Sequence, residues 1–592
     1  MKRRRVAGWV ALAATIAGAA YDPHATAAEP KRVLALVVGC ALSALLLQRT
    51  ATVSTAAASR AGRRGRSRAS RTSVTLSAAA VFLVVSGVSL AWGRAPGALD
   101  LGTWIGAAGF AVFGAHERRL SAVAAARLSG LWLGCTVSVV ALASAAAGAR
   151  AFHLHAGQGN PNWLGLLVAA TLPLALDTCI LHVMRGHIRT RRFAVTLACT
   201  APQAAALYLA HSRVAWVAAG VSVLLLLALS MRAKKRSLAV VAAVAVLTAL
   251  ALRGGEAGAE ERDAMTGDVA ASQSLHGRVW IWKASAQAAK DAMPFGVGLG
   301  GFGHAFHDAQ GRVLSQLAPG AAARTYENAT TAHQEYLQIA GESGIVAAAA
   351  FAFALVVGVL ANARRGFHGG AATLSACAIS SLGDSPFRQP AIVIVCALSL
   401  GACRALRDRP PRRRPAAGGM QNALLAGLLL ASGWALVAGT RSWLSTRVYL
   451  ASFSMAPDAR VRALDRSARL SPLSAEPRFE RGLVLVQAGE PAAAIAALDT
   501  AGELVADPGI FAAKGQAYLA LGDLAAGERA YRSALSWSPG SVRARVGLAE
   551  VRRRQGRLDE AEAEATVARK LSPGNAQVRE LIDTIREARS DE

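Results

Sequence analysis

LGLLVAATLPLALDTCIL, residues Leu164–Leu181, is an apolar run interrupted by one acidic side chain, Asp177. Its length falls in the roughly 17–25 residue window that lets a helix cross a bilayer. Outward from it, similar runs occupy Val74–Trp92, Ala215–Met231 and Leu238–Leu252. The chain is 53% hydrophobic and 17% charged, an unusual balance for a soluble domain. The expected fold is all-α: a polytopic transmembrane helix bundle of about 12–13 spans. The spans are expected near residues 6–20, 32–48, 72–92, 98–115, 128–148, 162–182, 193–210, 214–231, 237–252, 344–361, 369–383, 390–404 and 421–439. Gly369–Gly383 is the weakest of these, being short and rich in serine.

The net charge of +28 first suggests a nucleic-acid partner. Its distribution argues otherwise. Basic residues cluster beside the apolar runs, at Lys2–Arg5, Arg60–Arg71, His116–Arg119, Arg185–Arg192, Arg232–Arg236, Arg364–Arg365 and Arg404–Arg414. Cytoplasmic loops carry this excess, and no basic patch marks a soluble nucleic-acid module. With Lys2–Arg5 inside, every strong cluster falls inside. Segments 21–30, 94–100, 150–161, 211–213, 253–343, 384–390 and the tail then face outward. The N-terminus has the outline of a signal peptide, but a second apolar run follows at Val33–Leu47, so it reads as a first short span. The seven cysteines lie in or beside apolar runs with no CxxC spacing, which points to buried apolar residues.

One polar island interrupts this pattern. His276–Gly344 reads HGRVWIWKASAQAAKDAMPFGVGLGGFGHAFHDAQGRVLSQLAPGAAARTYENATTAHQEYLQIAGESG. It lies in the large outward loop 253–343, where chemistry on a lipid-linked substrate would sit. From about Ala451 the composition shifts again, to Ala, Leu, Glu and Arg at helical spacing. Tyr518–Gly540 aligns with Glu550–Gly574, placing Gly522 and Gly556, and Pro539 and Pro573, 34 residues apart. An earlier copy carries Gly489. This period resembles tetratricopeptide repeats, helix pairs that stack into a solenoid because none buries its face alone. The expected division is 1–440 for the membrane domain and 441–592 for the repeats. The repeats would present a concave surface to a protein partner, or act as a spacer or cap. Leu581–Glu592 reads as the polar helix closing the stack.

The outward segments carry an ordered set: Asn160-Pro161-Asn162, Ser212-Arg213, Arg278–Trp280, Pro294–Gly298 and His333–Leu337, followed by SPFRQP at Ser385–Pro390. Over roughly Ala151–Ala402 this set resembles the O-antigen ligase and polymerase superfamily of bacterial membrane glycosyltransferases. Gln334 stands where that family usually has Asn. Tyr21–Lys31 is similar to a segment of tetratricopeptide-bearing members. The resemblance implies transfer of glycan from an undecaprenyl-diphosphate carrier to an acceptor hydroxyl at the periplasmic face of the bacterial inner membrane. The acceptor is a growing glycan in O-antigen or exopolysaccharide polymerisation, lipid A-core in O-antigen ligation and lipopolysaccharide biosynthesis, or a protein in O-oligosaccharyl transfer.

Charge develops on the diphosphate as the sugar bond breaks. Arginine matches it with a permanent charge and a planar fork, so Arg213 and Arg278 are the catalytic candidates. His333 is the third, as general base, acceptor-orienting group or diphosphate stabiliser. Arg388, Tyr336, Gln334 and Asn162 are candidate substrate-binding residues. The blander readings are that Arg213 snorkels to the headgroups and that Arg278 and His333 are ordinary loop residues. No metal or cofactor is expected. Gly296–Gly301 fits GxGxxG, but without a preceding strand it reads as a turn allowing close backbone approach. His304, His307 and Asp308 lack zinc-site spacing, and no Asp-x-Asp occurs. A non-enzymatic scaffold presenting the repeats would not need the loop's Arg and His. A transporter would need more intramembrane acid than Asp177 supplies.

Overall fold

The computed structural model describes residues 2–20, 31–38, 41–42, 74–91, 97–116, 119–148, 156, 158, 160–230, 270–329, 331–405, 418–472 and 474–590. Span 237–252, the basic clusters at 60–71 and 232–236, most of Tyr21–Lys31 and loop residues 253–269 lie outside the described residues. All regular structure among the described residues is helical. Four of these helices are long and apolar enough to cross a membrane: Ala122–Ala146, Pro161–Met184, Arg213–Ser230 and Glu335–Arg364. Shorter apolar helices run over Ala7–Ala19, Ser77–Ser89 and Pro390–Cys403.

The opening stretch occupies the middle of the bundle. Asn160 caps its helix by accepting from Trp163 N at 2.8 Å, and Pro161 fills the first turn, where no N–H is needed. Leu164–Ala175 are all buried, which explains why the run is apolar on every side. It packs against helices Arg119–Ala146, Arg191–Leu209, Arg213–Ser230 and His368–Ser380. Asp177 is paired with Arg127 at 2.7 Å, beneath the Phe367 ring. Gln203 spans three helices by bonding Thr171 Oγ1 at 3.1 Å and the carbonyls of Gly130 and Leu131 at 3.4 Å.

The helix Lys2–Ala19 packs on Arg119–Ala146, with Ala7, Val10, Ala14 and Ala17 buried, as a span of the bundle would. His368–Ser380 has 13 residues, about 20 Å of helix against about 30 Å of hydrocarbon. It is enclosed by neighbours rather than spanning alone. The helix Gly418–Ser452 runs unbroken through residue 440, so the last apolar segment and the first part of the tail share one rod. The described cysteines, Cys135, Cys179, Cys199, Cys377, Cys396 and Cys403, are all free.

The tail is a stack of helix pairs: Glu476–Gln487 with Pro491–Leu504, Pro508–Leu521 with Leu524–Trp537, and Val542–Arg554 with Leu558–Leu571. Gly489, Gly522 and Gly556 end the first helix of each pair at φ of 77–80°, the left-handed turn that glycine adopts without strain. Ala576–Ser590 closes the stack by laying Val578, Leu581, Ile582 and Ile585 on Ala549, Ala561, Ala565 and Ala568.

Candidate active site

The segments read as sharing one face meet at one end of the bundle. Gln158 Nε2 donates to Gly18 O at 3.3 Å, Ser89 Oγ to Ser343 Oγ at 3.2 Å, and Asp100 is ion-paired with Arg388. Three helices begin here, and each has a cap beside a candidate residue. Asn160 caps one, leaving the half-exposed Asn162 on its first turn. Ser212 Oγ accepts from Ala215 N at 3.4 Å and leaves Arg213 exposed. Gln334 Oε1 accepts from Leu337 N at 2.6 Å and caps the helix that His333 precedes. Gln334 therefore has a structural use for its amide oxygen. Tyr336 packs on Phe351 and donates its hydroxyl to Ala378 O at 3.0 Å, holding two helices together.

The turn Leu382–Asp384 is contacted by Arg278 and His333 and packs against Val214, the residue after Arg213. Arg278 Nη1 donates to Gly383 O at 3.3 Å. Any side chain on Gly383 would run into Val214, the neighbour of Arg213. His333 Nδ1 lies 3.5 Å from Asp384 Oδ1, outside hydrogen-bond alignment. Asp384 is 5% exposed, and Ser385 N donates to its Oδ1 at 2.8 Å. Neither Arg213 nor Arg278 meets a carboxylate among the described residues. The side chain of His333 is 40% exposed.

Backbone geometry fixes the histidine. His333 has φ 46°, and Trp282 Nε1 donates to its carbonyl at 3.1 Å. His211, two residues before Arg213, also has φ 46°. Left-handed non-glycine residues are uncommon, and strained backbone concentrates at functional sites. The run Pro294–Gly301 is the turn expected from its glycines. Val297 N and Gly298 N donate to the carbonyls of Gly341 and Glu342 at 2.8 and 2.9 Å. A side chain on Gly296 would collide with Glu342 O, and one on Gly344 (φ 83°) with Pro294 O.

Arg388 has a different bonding pattern. It is 12% exposed and faces Glu342 at 2.7 Å, Glu335 at 3.9 Å and Asp100, with Trp104 beneath its guanidinium. Arg32 adds a second cation 3.6 Å from Asp100. The charge of Arg388 is thus taken up by carboxylates that tie two helices, Gly97–His116 and Glu335–Arg364, to the SPFRQP turn. Removing one member of a buried ion cluster leaves charge uncompensated and costs about 3–5 kcal/mol. Arg388→Ala is expected to lose folded protein from the membrane and to lower the unfolding temperature. An unchanged unfolding temperature with weakened donor binding would instead give Arg388 to the substrate.

The loop helix Phe302–Leu314 carries His304, His307 and Asp308 to the repeats. His304 Nε2 lies 3.1 Å from Gly502 O, and Trp537 Nε1 donates to Asp308 Oδ1 at 2.6 Å. His307 is sandwiched between Trp537 and Tyr326, with ring centroids at 5.4 and 6.1 Å. Burial pulls its imidazole down to about 4, against the opposing pull of Asp507 and Asp308. The unfolded chain protonates near pH 6.5. Stability from the neutral, docked ring is therefore whole above about pH 6.5 and is lost progressively as pH falls towards about 4. The unfolding temperature of the wild type should drop more between pH 7 and pH 5 than that of His307→Gln; parallel curves would contradict this. No cluster of three or more His, Cys, Asp or Glu fit for a metal occurs among the described residues.

Asp384, Glu342 and Asp100 were not among the residues singled out from the sequence. Asp384 carries no motif signal beyond its place before SPFRQP. Asp100 pairs with Arg388 across 288 positions, a separation no local pattern reports.

Residues 196–352 match the O-antigen ligase family, and residues 518–584 match the tetratricopeptide repeat. The first match spans Arg213, Arg278, His333, Gln334 and Tyr336, starts after Asn162 and ends before Arg388. No curated protein matches the chain. Residues 196–352 of this protein thus match the O-antigen ligase family, which supports a ligase- or polymerase-type glycosyltransferase function, and its tail is a stack of helix pairs that matches the tetratricopeptide repeat.

Proposed function

We propose that this protein transfers glycan from an undecaprenyl-diphosphate-linked donor to an acceptor hydroxyl at the periplasmic face of the bacterial inner membrane. The observation that carries the reading is the turn Leu382–Asp384, which Arg278 and His333 flank and Val214, beside Arg213, packs against, neither arginine being ion-paired to a carboxylate among the described residues. The acceptor oxygen bonds to the anomeric carbon as the bond from that carbon to the diphosphate breaks. The acceptor proton passes to His333, and undecaprenyl diphosphate leaves with the bond's electron pair. Asp384 Oδ1 faces Nδ1 at 3.5 Å, leaving Nε2 for the acceptor. Arg213 and Arg278 take the charge growing on the diphosphate. Three helix N-termini at the same end add partial positive charge. Asn162, half-exposed on the first turn of its helix, contacts the donor in this arrangement.

The repeats face the same compartment as the active-site loop, because they dock on it. Polymerisation and ligation are separated by analysing surface glycans after removal of the protein. Single repeat units left on lipid A-core indicate a polymerase, and accumulated lipid-linked polymer indicates a ligase. Unchanged surface glycans and lipid-linked pools would overturn the reading.

A further inference from the structure

We propose that Trp537, in the repeat stack, is a positioning residue for the transfer reaction, so that the tail completes the active-site module; this rests on the function proposed above. A partner-binding surface, a spacer and a stabilising cap are all open to a repeat stack, and the contact with the loop adds to these a role inside the chain. The tail's contacts with the loop are built at backbone range. A side chain on Gly311 of the loop would overlap Ser536 O, and one on Gly540 of the repeats would overlap the backbone of Ala323. Both glycines let the two surfaces meet where a methyl group would hold them apart.

Trp537 sits at the centre of this contact. It ends the helix Leu524–Trp537, donates to Asp308 and stacks on His307, with the two ring planes 17° apart. His307 is 1% exposed and passes the stack to Tyr326, at 23°. Tyr326 precedes Glu327, whose backbone is held twice by one side chain. Gln310 Nε2 donates to Glu327 O at 2.9 Å, and Gln310 Oε1 accepts from Glu327 N at 3.0 Å. The same Oε1 accepts from Trp280 Nε1 at 2.9 Å, two residues from Arg278. The carboxylate of Glu327 lies against Gly277 and within the field of His333. The loop bearing Arg278 and His333 is therefore held by the membrane bundle on one side and by Trp537 on the other. Small misplacements of reacting groups cost about 100-fold in rate, so loosening one side acts on turnover more than on binding.

The test uses full-length protein in nanodiscs, with lipid-linked glycan extracted from cells lacking the protein as donor. Trp537→Ala is expected to lower kcat by about 10- to 100-fold with KM for the donor changed by less than about threefold. Amide exchange should rise over 302–338 and stay at the wild-type level over 542–571, showing a folded tail with a loosened loop. Trp537→Phe, which keeps a stacking ring, should recover most of the kcat. If Trp537→Ala disturbs the tail itself, Gly540→Ala separates the surfaces without altering any repeat helix and should give the same kcat loss. Wild-type kcat in Gly540→Ala and in a folded Trp537→Ala would overturn the proposal. Absence of transfer by the folded wild type would overturn the underlying functional reading instead, whatever Trp537 does.

Discussion

His333→Ala is expected to abolish measurable glycan transfer, a loss of about 10²- to 10⁴-fold, the usual contribution of a positioned general base. The protein should remain folded. His333 is half-exposed and its ring has no hydrogen-bond partner at Nδ1, so its removal leaves no new cavity in the core. The backbone at this position is held through its carbonyl by Trp282, a bond that alanine retains. Asp384→Asn should fall less far, because it removes a charge that faces the ring at 3.5 Å but leaves the base itself. Unfolding temperature and detergent elution profile check the first point, and initial transfer rate the second. Wild-type turnover by His333→Ala would remove the histidine from the chemistry.

Arg278→Ala is expected to lower transfer by about 10²- to 10³-fold, the range for removing one preorganised group that stabilises transition-state charge. The magnitude follows from what surrounds the side chain. Arg278 donates to Gly383 O and faces no carboxylate among the described residues, so its charge is available to an anion. Arg278→Lys should recover little, since an ammonium lacks the planar fork that spans two phosphate oxygens. Arg213→Ala should behave alike with a smaller effect, because Arg213 is exposed and more screened by solvent. If Arg278→Lys matches the wild type, a point charge suffices and bidentate recognition is wrong.

Much of the fold was legible because membrane helices obey a composition rule. Leu164–Leu181 is apolar on all faces but for Asp177, and Leu164–Ala175 lie buried where such a helix must lie. The repeats were legible from Gly522 and Gly556, whose spacing marks equivalent left-handed turns. The candidate catalytic residues form an ordered set in sequence; Arg278 bonds Gly383, His333 faces Asp384, and Val214, beside Arg213, packs on Gly383. Capping was less distinct. Asn160, Ser212 and Gln334 are helix caps, and a cap and a substrate-binding amide look alike in sequence. Arg388 looked like a free cation, because its partners Asp100, Glu335 and Glu342 come from other helices. His304, His307 and Asp308 carry no sign in sequence of their partner Trp537, which lies 229 positions from Asp308. Long-range pairings of this kind depend on how helices pack, and periodicity does not encode them.

The central claim is that this chain releases a lipid diphosphate as it moves glycan. The direct measurement is undecaprenyl diphosphate released by purified protein in liposomes loaded with lipid-linked glycan extracted from cells lacking it. The wild type is expected to release it in step with glycan transfer, and Arg278→Ala and His333→Ala are expected to release none above background. Absence of release by folded wild-type protein, or undiminished release by both variants, would contradict the claim.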